Sequence, residues 1–217
     1  MQRNSTYQFL MLVVGALAFS ACSRGPETVA EYESWMKDPE QGLCQTRTVN
    51  DLRITMQYLP PELLMYREQL DGEDIRSPDL ERGRDLYKSN LMFLMTIAPI
   101  DPGMQGQDVM MHGVSSEQEL FERQATMNFD MGQHLSLRTA HGEAPPVLAH
   151  FENSYGLKKE RKIMLAFTSR INKEQVLDTD TLDVAFVDKM FDTGIHHFMF
   201  ETKSLKAASE VFPSDPR

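Results

Sequence analysis

The chain has 217 residues, a formal net charge of −10 and 41% hydrophobic residues, enough for one packed domain or a tight pair of subdomains. A balance this acidic argues against nucleic acid as a partner, because its phosphates would be repelled. Two cysteines exclude a disulfide framework, so the fold must be held by its core.

Met1 and Arg3 open the chain with a short positive stretch, and residues 9–19 (FLMLVVGALAF) form an unbroken apolar run. This is the pattern of a cleaved secretory signal. A helix needs about 20 apolar residues to cross a bilayer, and this run has about half that. Asn4, Ser5, Thr6 and Gln8 on one side, and Ser23 to Pro26 on the other, prevent its extension. The segment Phe19-Ser20-Ala21-Cys22 resembles the lipobox of bacterial lipoproteins, where the signal is cut before a cysteine that carries the lipid. The resemblance implies a signal over 1–21, lipidation of Cys22, a short tether over 22–30 and a single domain over 31–217. Each buried methylene contributes about 0.8 kcal/mol, so several acyl chains hold a domain on a membrane. Ser23 after the cysteine resembles lipoproteins sent on to the outer membrane, which implies a periplasm-facing domain. Removing the signal takes away Arg3 and no acid, leaving a mature charge of −11. Anionic lipid would repel such a surface, so the membrane contact falls to the lipid on Cys22. Acylated Cys22 leaves Cys44 unpaired. Cys44 reads as a small buried hydrophobe in a strand, with nothing nearby to activate it.

Pro26 opens an expected helix in which Val29, Tyr32, Trp35 and Met36 fall at helical spacing, ended by Asp38-Pro39. Gln41-Gly42 is a turn. Residues 43–48 and 51–59 predict a hairpin around Val49-Asn50-Asp51, with Leu52, Ile54, Met56 and Tyr58 on the packed face. Arg53, Thr55 and Gln57 take the wet face. Pro61 suits the first turn of the next helix, which runs to Asp71-Gly72 with Leu63, Leu64 and Leu70 apolar. Residues 76–88 are charged surface. Residues 90–98 (NLMFLMTIA) are apolar on both parities and predict a central strand covered on both faces. A loop over 99–107 follows. Ser116, with Glu119 three residues on, predicts a capped helix to about Thr126.

From Met127 the apolar period reads as two, with Phe129, Met131, Leu135 and Leu137 on one strand face and Gly132 at a bulge. Residues 147–155 and 161–169 predict a hairpin around Gly156-Leu157-Lys158-Lys159. Residues 182–187 and 195–201 predict another around Asp192-Thr193-Gly194, and a helix over 204–211 ends the chain. Helices cluster toward the N-terminal half and antiparallel strands toward the other. The expected class is therefore α+β, an antiparallel β-sheet with helices packed on one face.

Met190-Phe191-Asp192-Thr193-Gly194 looks like an aspartic-protease signature, but that chemistry needs a second carboxylate loop and the chain has none. A turn is the better reading of these residues. The six histidines (His112, His134, His141, His150, His196 and His197) lack the helical i, i+4 pairing of zinc hydrolases. His196 and His197 are neighbours in a strand and point to opposite faces. Asp178, Asp180 and Asp183 lack the glycine and distal glutamate of a calcium loop. Of fifteen methionines Met110 and Met111 stand together, while others such as Met56, Met95, Met131 and Met199 are spread singly at apolar positions, and they read as core filler rather than a copper site. Lys158-Lys159-Glu160-Arg161-Lys162 is the one basic run, either a solvated hairpin tip or a contact for headgroups or an acidic partner.

With the lipobox, Trp35, Asp38-Pro39, Gly42-Leu43 and Tyr58-Leu59-Pro60 in view, the chain resembles small uncharacterised lipoproteins of Bacteroidota. Asp188-x-x-Phe191-x-x-Gly194 followed by Phe198-x-Phe200 extends the likeness. It implies no activity, no cofactor and no catalytic residue. The expected function is a non-enzymatic binding or structural role in the cell envelope, with an envelope protein as partner. The competing expectations are an envelope hydrolase or metal-dependent enzyme built from His134, His141, His150, Asp178 and Asp180, or a small-ligand or glycan binder using Trp35 and the tyrosines.

Overall fold

The computed structural model describes residues 25–70, 87, 89–100, 108–152 and 158–213. Cys22 and the signal, the Asp71-Gly72 stop, nearly all of the charged stretch 76–88, most of the loop 99–107 and Gly156-Leu157 lie outside the described residues.

Helix α1 (Val29–Lys37) starts three residues later than Pro26 suggests, because Thr28 caps it. The Thr28 hydroxyl accepts from the Glu31 N–H while the Glu31 carboxylate accepts from the Thr28 N–H, so two orphan donors are satisfied at once. Strands β1 (Cys44–Val49) and β2 (Leu52–Leu59) form the expected hairpin. Its turn residues Asn50 and Asp51 both take positive φ, 47° and 60°, the tight turn whose twist matches paired strands. Leu52, Ile54, Met56 and Tyr58 are buried as the alternation requires. Helix α2 (Pro61–Leu70) follows directly.

Strand β3 (Asn90–Pro99) is central, paired on one side with β2 and on the other with β7 (Arg161–Thr168). Strand β6 (Leu148–Glu152) adds the far edge, giving a five-stranded sheet in the order β1-β2-β3-β7-β6. A second sheet runs β11-β10-β4-β5, from β4 (Leu135–Thr139), β5 (Gly142–Ala144), β10 (Thr181–Asp188) and β11 (Gly194–Glu201). Strands β8 (Arg170–Ile171) and β9 (Glu174–Gln175) make a short ribbon. Every pairing is antiparallel. With helices α3 (Glu117–Ala125) and α4 (Thr202–Glu210) added, the fold is α+β.

The two sheets face one core. Phe93 on β3 meets Phe200 on β11 with ring centroids 5.2 Å apart, and Phe167 on β7 meets Phe93 edge-on at 6.1 Å. Helices α1, α2 and α4 gather beside the ends of β2 and β11 from which α2 and α4 leave. The Tyr32 hydroxyl donates to the Ala208 carbonyl at 2.6 Å, Phe212 packs on Tyr32 and Tyr66, and Arg67 pairs with Glu33 at 2.7 Å.

Residues 127–134 depart from the strand reading. Helix α3 continues through a π turn (Thr126–Asp130) and a 3-10 turn (Met131–His134), and strand β4 begins only at Leu135. Met127 and Met131 are the buried pair, four residues apart as a helix needs, while Phe129 is 86% exposed. Two apolar residues two apart mimicked a strand, but only one of them packs. Met199, counted as filler, lies on the outer face of β11 at 49% exposure. Cys44 is half-buried rather than buried, and burial raises its thiol pKa, so the protonated form is favoured.

Candidate functional site

Arg53 stands on the wet face of β2, where alternation puts it opposite the core, and pairs in register with Ala98 of β3. Beside them the chain enters β7 through Lys158, Lys159 and Glu160. Arg53, Ala98, Pro99 and these three residues line an open groove of about 340 Å³. The loop that carries the lysines is held from beneath. Arg161 is 3% exposed, and its guanidinium donates to the carbonyls of Lys158 at 2.6 Å and Glu160 at 3.0 Å. The carbonyl of Lys159 accepts from the Val109 N–H at 2.9 Å. Asp108 pairs with Arg161 and also caps the turn Val109–Met111, so the buried charge is compensated. Three successive carbonyls are thus fixed, which orders the backbone that presents the lysines.

Lys158 is paired with Glu152 at 2.7 Å, and Lys162 with Glu160 at 3.3 Å. The hydrogen bond from Lys158 lowers the Glu152 pKa, and the same contact raises that of Lys158. Among the described residues Arg53 and Lys159 have no ion-pair partner. Groove residues and their ion-pair partners together make four cations to two carboxylates, on a chain whose net charge is −10. Such a surface attracts carboxylate or phosphate groups, with Arg53 offering a planar fork and the lysines mobile point charges.

A second polar cluster has a different purpose. The Asp188 carboxylate accepts from the N–H groups of Met190 at 2.8 Å, Phe191 at 3.2 Å and Thr193 at 2.9 Å, and from the Thr193 hydroxyl. Thr193 Oγ1 also lies 2.8 Å from His196 Nε2. A hydroxyl has one proton, and a carboxylate can only accept, so Thr193 donates to Asp188 and accepts from His196 Nε2–H. Its proton is committed, which is the opposite of an activated nucleophile. Burial lowers the His196 pKa, with Asp188 opposing the shift. Asp192-Thr193-Gly194 is therefore the connection between β10 and β11, with positive φ at Asp192 (55°) and Gly194 (87°). Buried Arg123 donates to the carbonyls of Met110 and His112 at 2.9 and 2.7 Å and lies 4.5 Å over the Phe191 ring. It ties α3 to this loop.

The residues proposed for metal or acid–base work are scattered. His134 ends a 3-10 turn, His141 lies in the β4–β5 turn, and His150 is exposed on β6. Asp178 is near Lys206 at 3.9 Å, while Asp183 bonds His197 Nδ1 at 2.7 Å on the outer sheet face. His196 is buried and His197 exposed, as strand alternation requires. Among the described residues no three His, Cys, Asp or Glu side chains are placed to hold a metal ion. Trp35 is half-buried and stacks on buried Tyr32 at 5.6 Å.

Sequence reasoning named the lysine run but did not join it to Arg53, brought near by the pairing of β2, β3 and β7, or to Asp108, which reaches Arg161 from the turn it caps. No family model matches the chain. No curated protein matches it either. It is similar to a solved protein of unknown function from Burkholderia pseudomallei, at 11% identity, covering 84% of this chain and 90% of that one with a TM-score of 0.38. A superposition that loose carries no argument about the groove.

Proposed function

We propose that this chain is a lipid-anchored envelope protein, held at the outer membrane through Cys22, whose domain binds a partner in the periplasm rather than transforming a substrate. The observation that carries the reading is the N-terminal pattern, an apolar run closed by Phe19-Ser20-Ala21-Cys22 with only a few residues before the folded part. The arrangement of the domain supports it. The described polar clusters close turns and tie elements together, and the groove that gathers charge is open and basic. The likeness to Bacteroidota lipoproteins points the same way and brings no activity with it.

Membrane fractionation of cells carrying the chain or its Cys22→Ser variant tests the anchor. The unmodified chain is expected in the outer-membrane fraction and the variant in the soluble periplasmic fraction. Retention of the variant on membranes with no partner holding it there overturns the anchor. Affinity purification of the lipidated protein tests the binding role. Recovery of the protein alone, with metal in stoichiometric amount, would favour a metal-dependent enzyme instead.

A further inference from the structure

Gly25, the first described residue, sits against the end of α4, where a Cβ on it would stand 3.4 Å from Val211 Cγ1. Two residues, Ser23 and Arg24, separate it from Cys22, and the three peptide links reach at most about 11 Å. A lipid on Cys22 therefore holds the end of the domain built from α1, α2 and α4 close to the bilayer. The groove is elsewhere. Arg53 lies six residues before Leu59 on β2, about 20 Å along the strand from the point where the chain turns into α2. The basic groove is thus carried at the pole away from the tether.

We propose that this groove is a docking site for an acidic segment of a protein partner in the periplasm, its carboxylates meeting Arg53 and Lys159. The placement rests on the lipid-anchor reading, since the tether sets which pole faces away from the membrane. With the tethered pole on the bilayer, the groove faces away from the anchoring headgroups. Two features match an acidic segment: the cations Arg53, Lys158 and Lys159 line the groove together, and Ala98 and Pro99 add apolar lining beside them. The backbone that carries the lysines is fixed by the carbonyl clamp of Arg161 and Val109, so binding has side chains rather than a loop to order.

The test uses the full chain, lipidated in detergent and as the soluble Cys22→Ser variant, with a fluorescein-labelled decaglutamate peptide as probe and anisotropy as readout. Both forms are expected to bind the peptide at low ionic strength and to release it at about 0.5 M salt, where the Debye length falls below about 5 Å. Arg53→Glu with Lys159→Glu is expected to weaken binding about tenfold or more, while Lys203→Glu on α4 changes it less than about twofold. If the reversed pair unfolds, Arg53→Gln with Lys159→Gln replaces it and a several-fold loss is expected. No binding by the unmodified chain, or equal loss with Lys203→Glu, overturns the proposal. Binding to phosphatidylglycerol vesicles but not to the peptide also overturns it and assigns the groove to lipid headgroups. Because the soluble variant is measured too, failure of the anchor appears only in fractionation and leaves the peptide result readable.

Discussion

Arg47 on β1 stands 5.3 Å over the ring of Phe198 on β11 and donates to the carbonyl of His197 at 2.7 Å. Two residues earlier, the Gln45 amide donates to the carbonyl of Met199. In the hairpin turn itself, Asn50 donates to the carbonyl of Asp192 at 3.2 Å. The facing edges of the two sheets thus run antiparallel and are joined by side chains rather than by a backbone ladder. Edge carbonyls that would template another strand are capped.

Replacing Arg47 with Met keeps an apolar stem over Phe198 but removes the cation and the donor. The expected cost is about 1 kcal/mol, the size of one net hydrogen bond with an exposed cation–π contact. Urea unfolding of both proteins measures it. A change in the slope as well as the midpoint would show that the seam opens before the rest.

Asp188→Ala removes the acceptor for three backbone N–H groups and the Thr193 hydroxyl in a buried loop. A loss of about 2–4 kcal/mol is expected, since orphaned buried donors lose their bonds to water as well. Asp192→Ala, at an exposed turn position, is expected to cost less despite its positive φ of 55°. Equal losses in the two variants would show that backbone conformation, not the carboxylate, holds the loop.

The burial that lowers the His196 pKa gives stability a pH dependence of definite sign. The unfolded chain takes up the proton near the ordinary value of 6.5, while the folded chain resists it to lower pH. The contribution is therefore complete above 6.5 and is lost as pH falls toward the folded value. Chemical denaturation at several pH values should show a shallower decline for His196→Gln than for the unmodified chain. Parallel declines would remove His196 as the cause.

Trp35 is the chain's one tryptophan and lies on α1, in the part of the fold that the proposed tether would hold nearest the bilayer. Its fluorescence reports the orientation without any added label. In vesicles containing lipids with a nitroxide headgroup, the lipidated chain is expected to be quenched and the Cys22→Ser variant is not. Quenching absent from the anchored chain would mean that another face meets the bilayer.

Alternation along β2 and the double-sided apolar run of β3 were legible because burial on a strand depends on local parity. The Ser116 cap was legible too, although the Glu119 carboxylate reaches back to the Ser115 N–H at 2.9 Å rather than to that of Ser116. The stretch from Met127 was misread because a period of two and a pair four apart share residues, and only packing decides which are buried.

By itself the sequence determined the acidic balance, the apolar run closed by Phe19-Ser20-Ala21-Cys22, a cysteine count too low for a disulfide framework and the α+β class. Those follow from composition and short-range pattern. The tertiary structure alone decided that the strands divide into two sheets closed by Arg47 and Gln45. It also placed Asp192-Thr193-Gly194 under the Asp188 carboxylate, and set Arg53 beside Lys159 above a buried arginine. Each joins residues whose order along the chain carries no sign of the contact, and charge becomes a site only where strand pairing brings it together.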